Sequence, residues 1–68
     1  MDSVIVTMAD VRAARLCAGG ARKFFDRYGL NYREFLRIGI SEKALLETGD
    51  ALALTAIEAA KRRVAKGG

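Results

Sequence analysis

Few side chains in this 68-residue chain could do chemistry, and their spacing gives most of them simpler work. There is no histidine, so no side chain titrates near neutrality without help from its surroundings. General acid–base catalysis would need a carboxylate tuned by burial. Yet Asp10 and Glu34 stand at the third positions of helices, Asp50 stands just ahead of one, and Glu58 precedes Arg62 by four residues, each a structural placement. Cys17 is the single cysteine. The sequence places it at the end of a first helix, just before Gly19-Gly20, with no base to activate it and with the negative helix end opposing a thiolate. It is therefore expected to be a packed structural thiol that labels slowly in the native protein. One thiol with scattered carboxylates makes no zinc site. Gly19-Gly20 followed by Arg22-Lys23 lacks both the spacing and the preceding strand of a phosphate-binding loop. These residues support a non-enzymatic reading with no cofactor, no metal and no small-molecule substrate.

What remains is binding. The formal charge is +4, from 12 basic and 8 acidic residues, and it is unevenly spread. Between Val11 and Gly39 stand Arg12, Arg15, Arg22, Lys23, Arg27, Arg33 and Arg37 against Asp26 and Glu34. From Ile40 to Ala60 the balance is acidic, with Glu42, Glu47, Asp50 and Glu58 against Lys43. The closing cluster of Lys61, Arg62, Arg63 and Lys66 has a simple reading as compensation of a helix dipole. The candidate partner-contacting set is Arg22, Lys23, Arg27, Tyr32, Arg33 and Arg37, cations interleaved with an aromatic as at protein interfaces. Nucleic acid is the second possibility. Residues 21–40 can be laid on a helix-turn-helix pattern with Gly29 at the turn and Tyr32, Arg33 and Arg37 on a reading helix over about 32–38. Phe25 counts against it, because that motif wants a small residue where its two helices cross. The short reading helix counts against it as well.

The elements that must position these residues are written in a repeated grammar. Thr7, Asn31 and Ser41 each suit an N-cap, whose side-chain oxygen accepts from an orphan backbone N–H. Before each cap stands an apolar residue (Val6, Leu30, Ile40) matched five positions on by Val11, Phe35 and Leu45, the hydrophobic staple. The spacing predicts a first helix from Thr7 to about Cys17, stopped by Gly19-Gly20. It predicts a second over about 21–28 with Ala21, Phe24, Phe25 and Tyr28 on one face. A third covers about 32–38 with Tyr32, Phe35 and Leu36 inward and ends at Gly39, and a fourth covers 42–48 with Leu45 and Leu46 apolar and ends at Gly49. Asp50 caps the last and longest, Ala51 to about Lys66, with Ala53, Leu54, Ile57, Ala60 and Val64 inward. Val4-Ile5-Val6 is read as an extended lead-in, since so short a run with no second strand makes no sheet. The fold class is then all-α: one domain over 1–68, with four to five short helices, short glycine-terminated connections, a longer C-terminal helix, an extended lead-in at 1–6 and a loose tail at 67–68. The expected core is Val11, Phe24, Phe25, Tyr28, Leu30, Phe35, Leu36, Leu45, Leu54 and Ile57.

The run Cys17-x-x-Gly20-x-Arg22-x-Phe24-Phe25, followed by Gly29-Leu30-Asn31-Tyr32, Phe35-Leu36 and Gly39-Ile40, resembles a group of small phage- and prophage-encoded helical proteins. The resemblance extends from Val6 to Ala60. It implies a phage origin and, because some of those proteins are encoded beside virion head or tail genes, a role in virion assembly or as an accessory factor. It brings no catalytic residue with it.

A chain of this size buries only about 60% of its unfolded surface, so a partner or self-association is the expected brace where disulfides are impossible. No run approaches the roughly 20 apolar residues of a membrane span, and no secretory leader is legible, which gives a cytoplasmic expectation. The lead expectation is a small protein-binding module acting in virion assembly or on a host factor, with a DNA-binding protein of phage gene control as the alternative.

Overall fold

The computed structural model describes residues 4–66. The first half of the expected lead-in, residues 1–3, and the expected loose tail at 67–68 lie outside the described residues. The chain runs β1 (Ile5–Val6), α1 (Met8–Ala13), α2 (Ala18–Arg27), α3 (Tyr32–Ile38), β2 (Ile40–Ser41), α4 (Glu42–Leu46) and α5 (Ala51–Ala65). A Cα radius of gyration of 10.9 Å is about what a compact chain of this length has.

The cap grammar works as written at Asn31, Ser41 and Asp50, but not at Thr7, whose hydroxyl donates to Asp10 at 3.1 Å instead of accepting from a backbone N–H. Asn31 Oδ1 accepts from the Glu34 N–H at 2.9 Å, Ser41 Oγ from Ala44 at 3.2 Å and Asp50 Oδ1 from Leu52 at 2.9 Å. At the first helix Asp10 reaches back to the Thr7 N–H at 2.8 Å. All three staple pairs pack in the core or against it. Gly29, Gly39 and Gly49 have φ of +67, +81 and +70°, the left-handed conformation that ends a helix at little cost only for glycine.

Three expectations are corrected. The fold is mostly helical but not all-α: Ile5 pairs with Ser41 and Val6 with Ile40 in an antiparallel two-stranded sheet. The lead-in is thus a strand whose partner comes from 34 residues or more away, beyond the reach of local pattern. Gly39 makes the pairing possible. A Cβ there would sit 2.6 Å from Ile5 Cγ2 and 2.7 Å from the Val6 carbonyl oxygen.

The first helix ends at Ala13, not near Cys17, and it is not stopped by Gly19-Gly20. Arg15 takes the left-handed turn, with φ +64°. The Leu16 N–H donates to the Val11 carbonyl at 3.0 Å and the Arg15 N–H to Arg12 at 2.9 Å, the paired bonds of a Schellman ending. Leu16 and Val11 both pack in the core region, which is the apolar contact that accompanies this motif. Packing of Leu16 on the core and the paired backbone bonds oppose the local cost of a side chain in the left-handed region. Gly19 and Gly20 fall instead in the first turn of α2.

Two of the expected core residues, Leu36 and Leu54, are 52% and 54% exposed. In α3 only Phe35 is buried, because a helix of two turns offers the core one narrow strip and Leu36 lies 100° round from it. In α5 the buried stripe is Ala53, Ala56, Ile57 and Ala60, with Ala59 beside it. Leu54 falls off that stripe, and so does Val64, which is also exposed. Small residues are what α5 needs here, since they let α1 approach closely enough for a side chain near its start to reach Arg63. The remaining expected core residues hold: Val11, Phe24, Phe25, Phe35, Leu45 and Ile57 are buried, and Tyr28 and Leu30 are half-buried against them.

Candidate protein-docking surface

The α2–Gly29–α3 hairpin carries every residue singled out for partner contact. Its geometry follows from one aromatic cluster. Phe25 stands between the two helices, its ring centroid 4.7 Å from Phe35 and 5.7 Å from Tyr32. The turn is closed by the Leu30 N–H on the Phe25 carbonyl at 2.8 Å and by Gly29 on Asp26 at 3.3 Å. Phe25 is buried at this crossing, so the helices are spaced by a phenyl ring where the DNA-binding motif brings them into close approach.

The six candidate residues do not form one patch. Tyr32 is half-buried in the aromatic cluster, which subtracts it from any reading surface. Arg33 and Arg37 are exposed and one turn apart on α3. Lys23 and Arg27 share a stripe of α2, and Arg22 faces away from them, roughly 100–140° round the helix. None of the six takes part in an ion pair within 4.0 Å among the described residues.

What sequence reasoning missed is the apolar component of the surface. Leu36 stands beside Arg33 and Arg37 on the exposed side of α3, and Ile38, next in line, is 58% exposed. Ile5, 48% exposed, lies against Gly39 and brings a third large apolar side chain to the same end of α3. The free edge of β1 is not open for strand addition at this point, because the Ile5 carbonyl accepts from Arg63 Nη2 at 2.9 Å. Leu36 was legible as apolar but not as exposed, since a seven-residue helix does not show in sequence which of two adjacent residues faces in.

Polar side chains expected to be merely local prove to hold elements together. Asp10, 1% exposed, accepts from Arg63 Nε at 2.8 Å and Nη2 at 3.2 Å, a two-pronged ion pair between α1 and α5 across 53 residues. Burial opposes ionisation of this carboxyl. The hydrogen bonds from Arg63 and Thr7 together outweigh that, and they hold the group below its ordinary 3.8. The C-terminal basic cluster is therefore more than dipole compensation: Arg63 is a structural clamp, and Lys61 reaches Glu42 Oε2 at 3.2 Å. Tyr28 donates from its hydroxyl to Asp50 Oδ2 at 2.8 Å, tying the end of α2 to the start of α5. That bond raises the phenol above its ordinary 10.0, with burial adding to it. The Leu52 N–H, and after it the Tyr28 hydroxyl, holds Asp50 low.

Cys17 is not at a helix C-terminus and not packed away. It is the N-cap of α2, exposed, with Sγ accepting from the Gly20 N–H at 3.2 Å. No helix is long and apolar enough to cross a membrane among the described residues.

No protein-family model matches this chain, nor does any curated protein or solved structure.

Proposed function

We propose that this chain is a non-enzymatic protein-binding module whose contact surface is the exposed side of α3 together with Ile5. The observation that carries this reading is the exposure of three large apolar side chains around α3, Leu36 and Ile38 on its two flanks and Ile5 against the Gly39 that ends it, with Arg33 and Arg37 exposed on the same helix. Single exposed apolar residues are ordinary on any surface, but three around one helix end with flanking arginines make the composition of a docking patch. Covering such side chains is favourable by about 25 cal/mol per Å² of apolar surface removed from water. The resemblance to phage-encoded proteins supports a virion-assembly or host protein of the cytoplasm as the partner. Self-association through the same patch belongs to the same reading.

Leu36→Asp with Ile38→Asp tests it, because both side chains are exposed and the pair should leave the melting temperature nearly unchanged. The parent chain should retain a protein from its source cells, or form concentration-dependent dimers in sedimentation, and the double variant should do neither. A gel shift decides the alternative. Phosphate contacts through Arg33 and Arg37 alone give weak binding that is the same on all sequences and is lost by about 0.15 M salt. Tight, sequence-preferring binding that survives such salt would overturn the protein-binding reading in favour of DNA recognition.

A further inference from the structure

A cavity of about 250 Å³ opens between α2 and α5. The two helices share little direct contact and are tied where the end of α2 meets the start of α5, by the Tyr28–Asp50 hydrogen bond. The deep walls of the cavity are core side chains, among them Val11, Phe24, Phe35 and Leu45. Its mouth is marked by the lining residues that reach solvent: Cys17 and Gly20 on one side and Leu52 on the other. No charged side chain lines it. Ordered water needs two to four polar partners, which this wall does not supply, and a dry cavity of about 150 Å³ already accommodates a benzene ring. The space therefore suits a leucine or phenylalanine side chain entering from outside.

The charges around the mouth say what such a side chain arrives on. Lys23 and Arg27 follow Gly20 by three and seven residues, on the same stripe of α2. Arg15 immediately precedes the Leu16-Cys17 corner. All three are exposed, and none has a carboxylate within 4.0 Å among the described residues. Asp26 turns about 120° away from Gly20 round α2, although it stands one turn on from Lys23, and Asp50 is engaged by Tyr28 and the Leu52 N–H and also feels Arg27. The margin carries a cationic excess, Arg15 and Lys23 without an ion pair among the described residues and Arg27 partly offset by Asp50, and the floor is apolar. We propose that this groove takes the apolar anchor of an acidic amphipathic helix from a partner protein. The recognition mode is a helix in a groove, with the anchor side chain inserted between α2 and α5 and glutamates or aspartates of the helix facing Arg15, Lys23 and Arg27. This surface is distinct from the α3 patch, and either can fail without the other.

The test uses the full chain and a fluorescein-labelled peptide of about fifteen residues, long enough to fold as a helix on contact, with leucine and phenylalanine at i, i+3, i+4 and i+7 and glutamate elsewhere. Fluorescence anisotropy should show saturable binding, with amide shift changes grouped at residues 17–24 and 52–56. Ala56→Leu fills the cavity and leaves every charge in place, and it should weaken binding by about tenfold or more. Should that variant fail to fold, Leu52→Glu at the mouth gives the same readout without repacking the core. Lys23→Glu with Arg27→Glu should weaken binding comparably and make a lysine version of the peptide the better ligand. The proposal is overturned if the acidic peptide does not bind, if the lysine peptide binds the parent equally well, or if filling the cavity changes nothing. Shifts confined to α3 would move the acidic helix to the other patch and also overturn it. So would a dimer of the chain that Leu52→Glu dissolves, since a second copy would then occupy the groove.

Discussion

Asp10→Asn should be the most informative single change, because Asp10 joins the first helix to the last. The carboxylate is 1% exposed and accepts four hydrogen bonds: from the Thr7 N–H at 2.8 Å, the Thr7 hydroxyl at 3.1 Å, Arg63 Nε at 2.8 Å and Arg63 Nη2 at 3.2 Å. An asparagine oxygen can still serve Thr7, but its amide nitrogen then meets the guanidinium donor against donor. Losing one side of a buried ion pair costs about 3–5 kcal/mol where the other charge stays buried. Here the Arg63 side chain is 41% exposed and rehydrates, so the expected loss for Asp10→Asn is smaller, about 2–3 kcal/mol. For a domain of this size that corresponds to a fall in melting temperature of roughly 10–20 °C. The pH dependence separates a charge effect from simple misfit. Because the folded carboxyl is held below its ordinary 3.8, its contribution is complete above that value and is lost as pH falls through the lower, folded one. Glu42 and Asp50 are also held low, but they are common to both proteins and cancel in the difference. Far-UV circular dichroism melts of parent and variant between about pH 2.5 and 7 should therefore show a gap that is wide at neutrality and closes in acid, by at most about 1.4 kcal/mol per pH unit. A gap of the same width at both ends would refute the charge argument. A fall of less than about 3 °C at pH 7 would refute the coupling of the two helices.

Three further outcomes follow from the backbone and the thiol. Arg15→Gly should stabilise the protein by about 0.5–1 kcal/mol, since only glycine adopts the left-handed turn at that position without a Cβ penalty, and urea denaturation would register a lower midpoint if the turn were not native. Gly39→Ala should destabilise by more than about 2 kcal/mol, because the new Cβ collides with Ile5 and the Val6 carbonyl in addition to the strain of positive φ; Gly29→Ala, with open space around it, should cost only about 1 kcal/mol, and equal melting temperatures for the two would contradict the pairing of β1 beside Gly39. Cys17 should react with a disulfide reagent in the native protein at a rate close to that of the urea-unfolded chain, and strong native protection would place it inside the fold rather than at the exposed cap of α2.

Much of the helical architecture was legible in the amino-acid sequence, and the reason is locality. The caps at Asn31, Ser41 and Asp50 bond to residues two or three positions on. The staples and the left-handed glycines at 29, 39 and 49 likewise act within one turn. Apart from the close approach of β1 to Gly39, their energetics are complete inside a few residues, so residue type and spacing determine them. The candidate surface was legible only in its charges: Arg33 and Arg37 are where helical spacing puts them, while Tyr32 was lost to the aromatic cluster and Leu36 was gained from the expected core.

Everything decided by contacts distant in sequence had to come from the tertiary structure. The strand at Ile5–Val6 exists because Ile40–Ser41 returns beside it. Asp10 reads as a helix-start acid until Arg63, 53 residues on, meets it. Leu54 belongs to an apolar stripe by periodicity, yet the close approach of α1 favours the alanine face of α5 and rotates that leucine into water. Arg15 takes a turn suited to glycine where the paired backbone bonds to Val11 and Arg12 and the packing of Leu16 on the core hold it, while two real glycines a few residues on are absorbed into a helix. In each case a local preference worth about 1 kcal/mol was overruled by burial and pairing worth several, and a one-dimensional pattern carries only the smaller of those two terms.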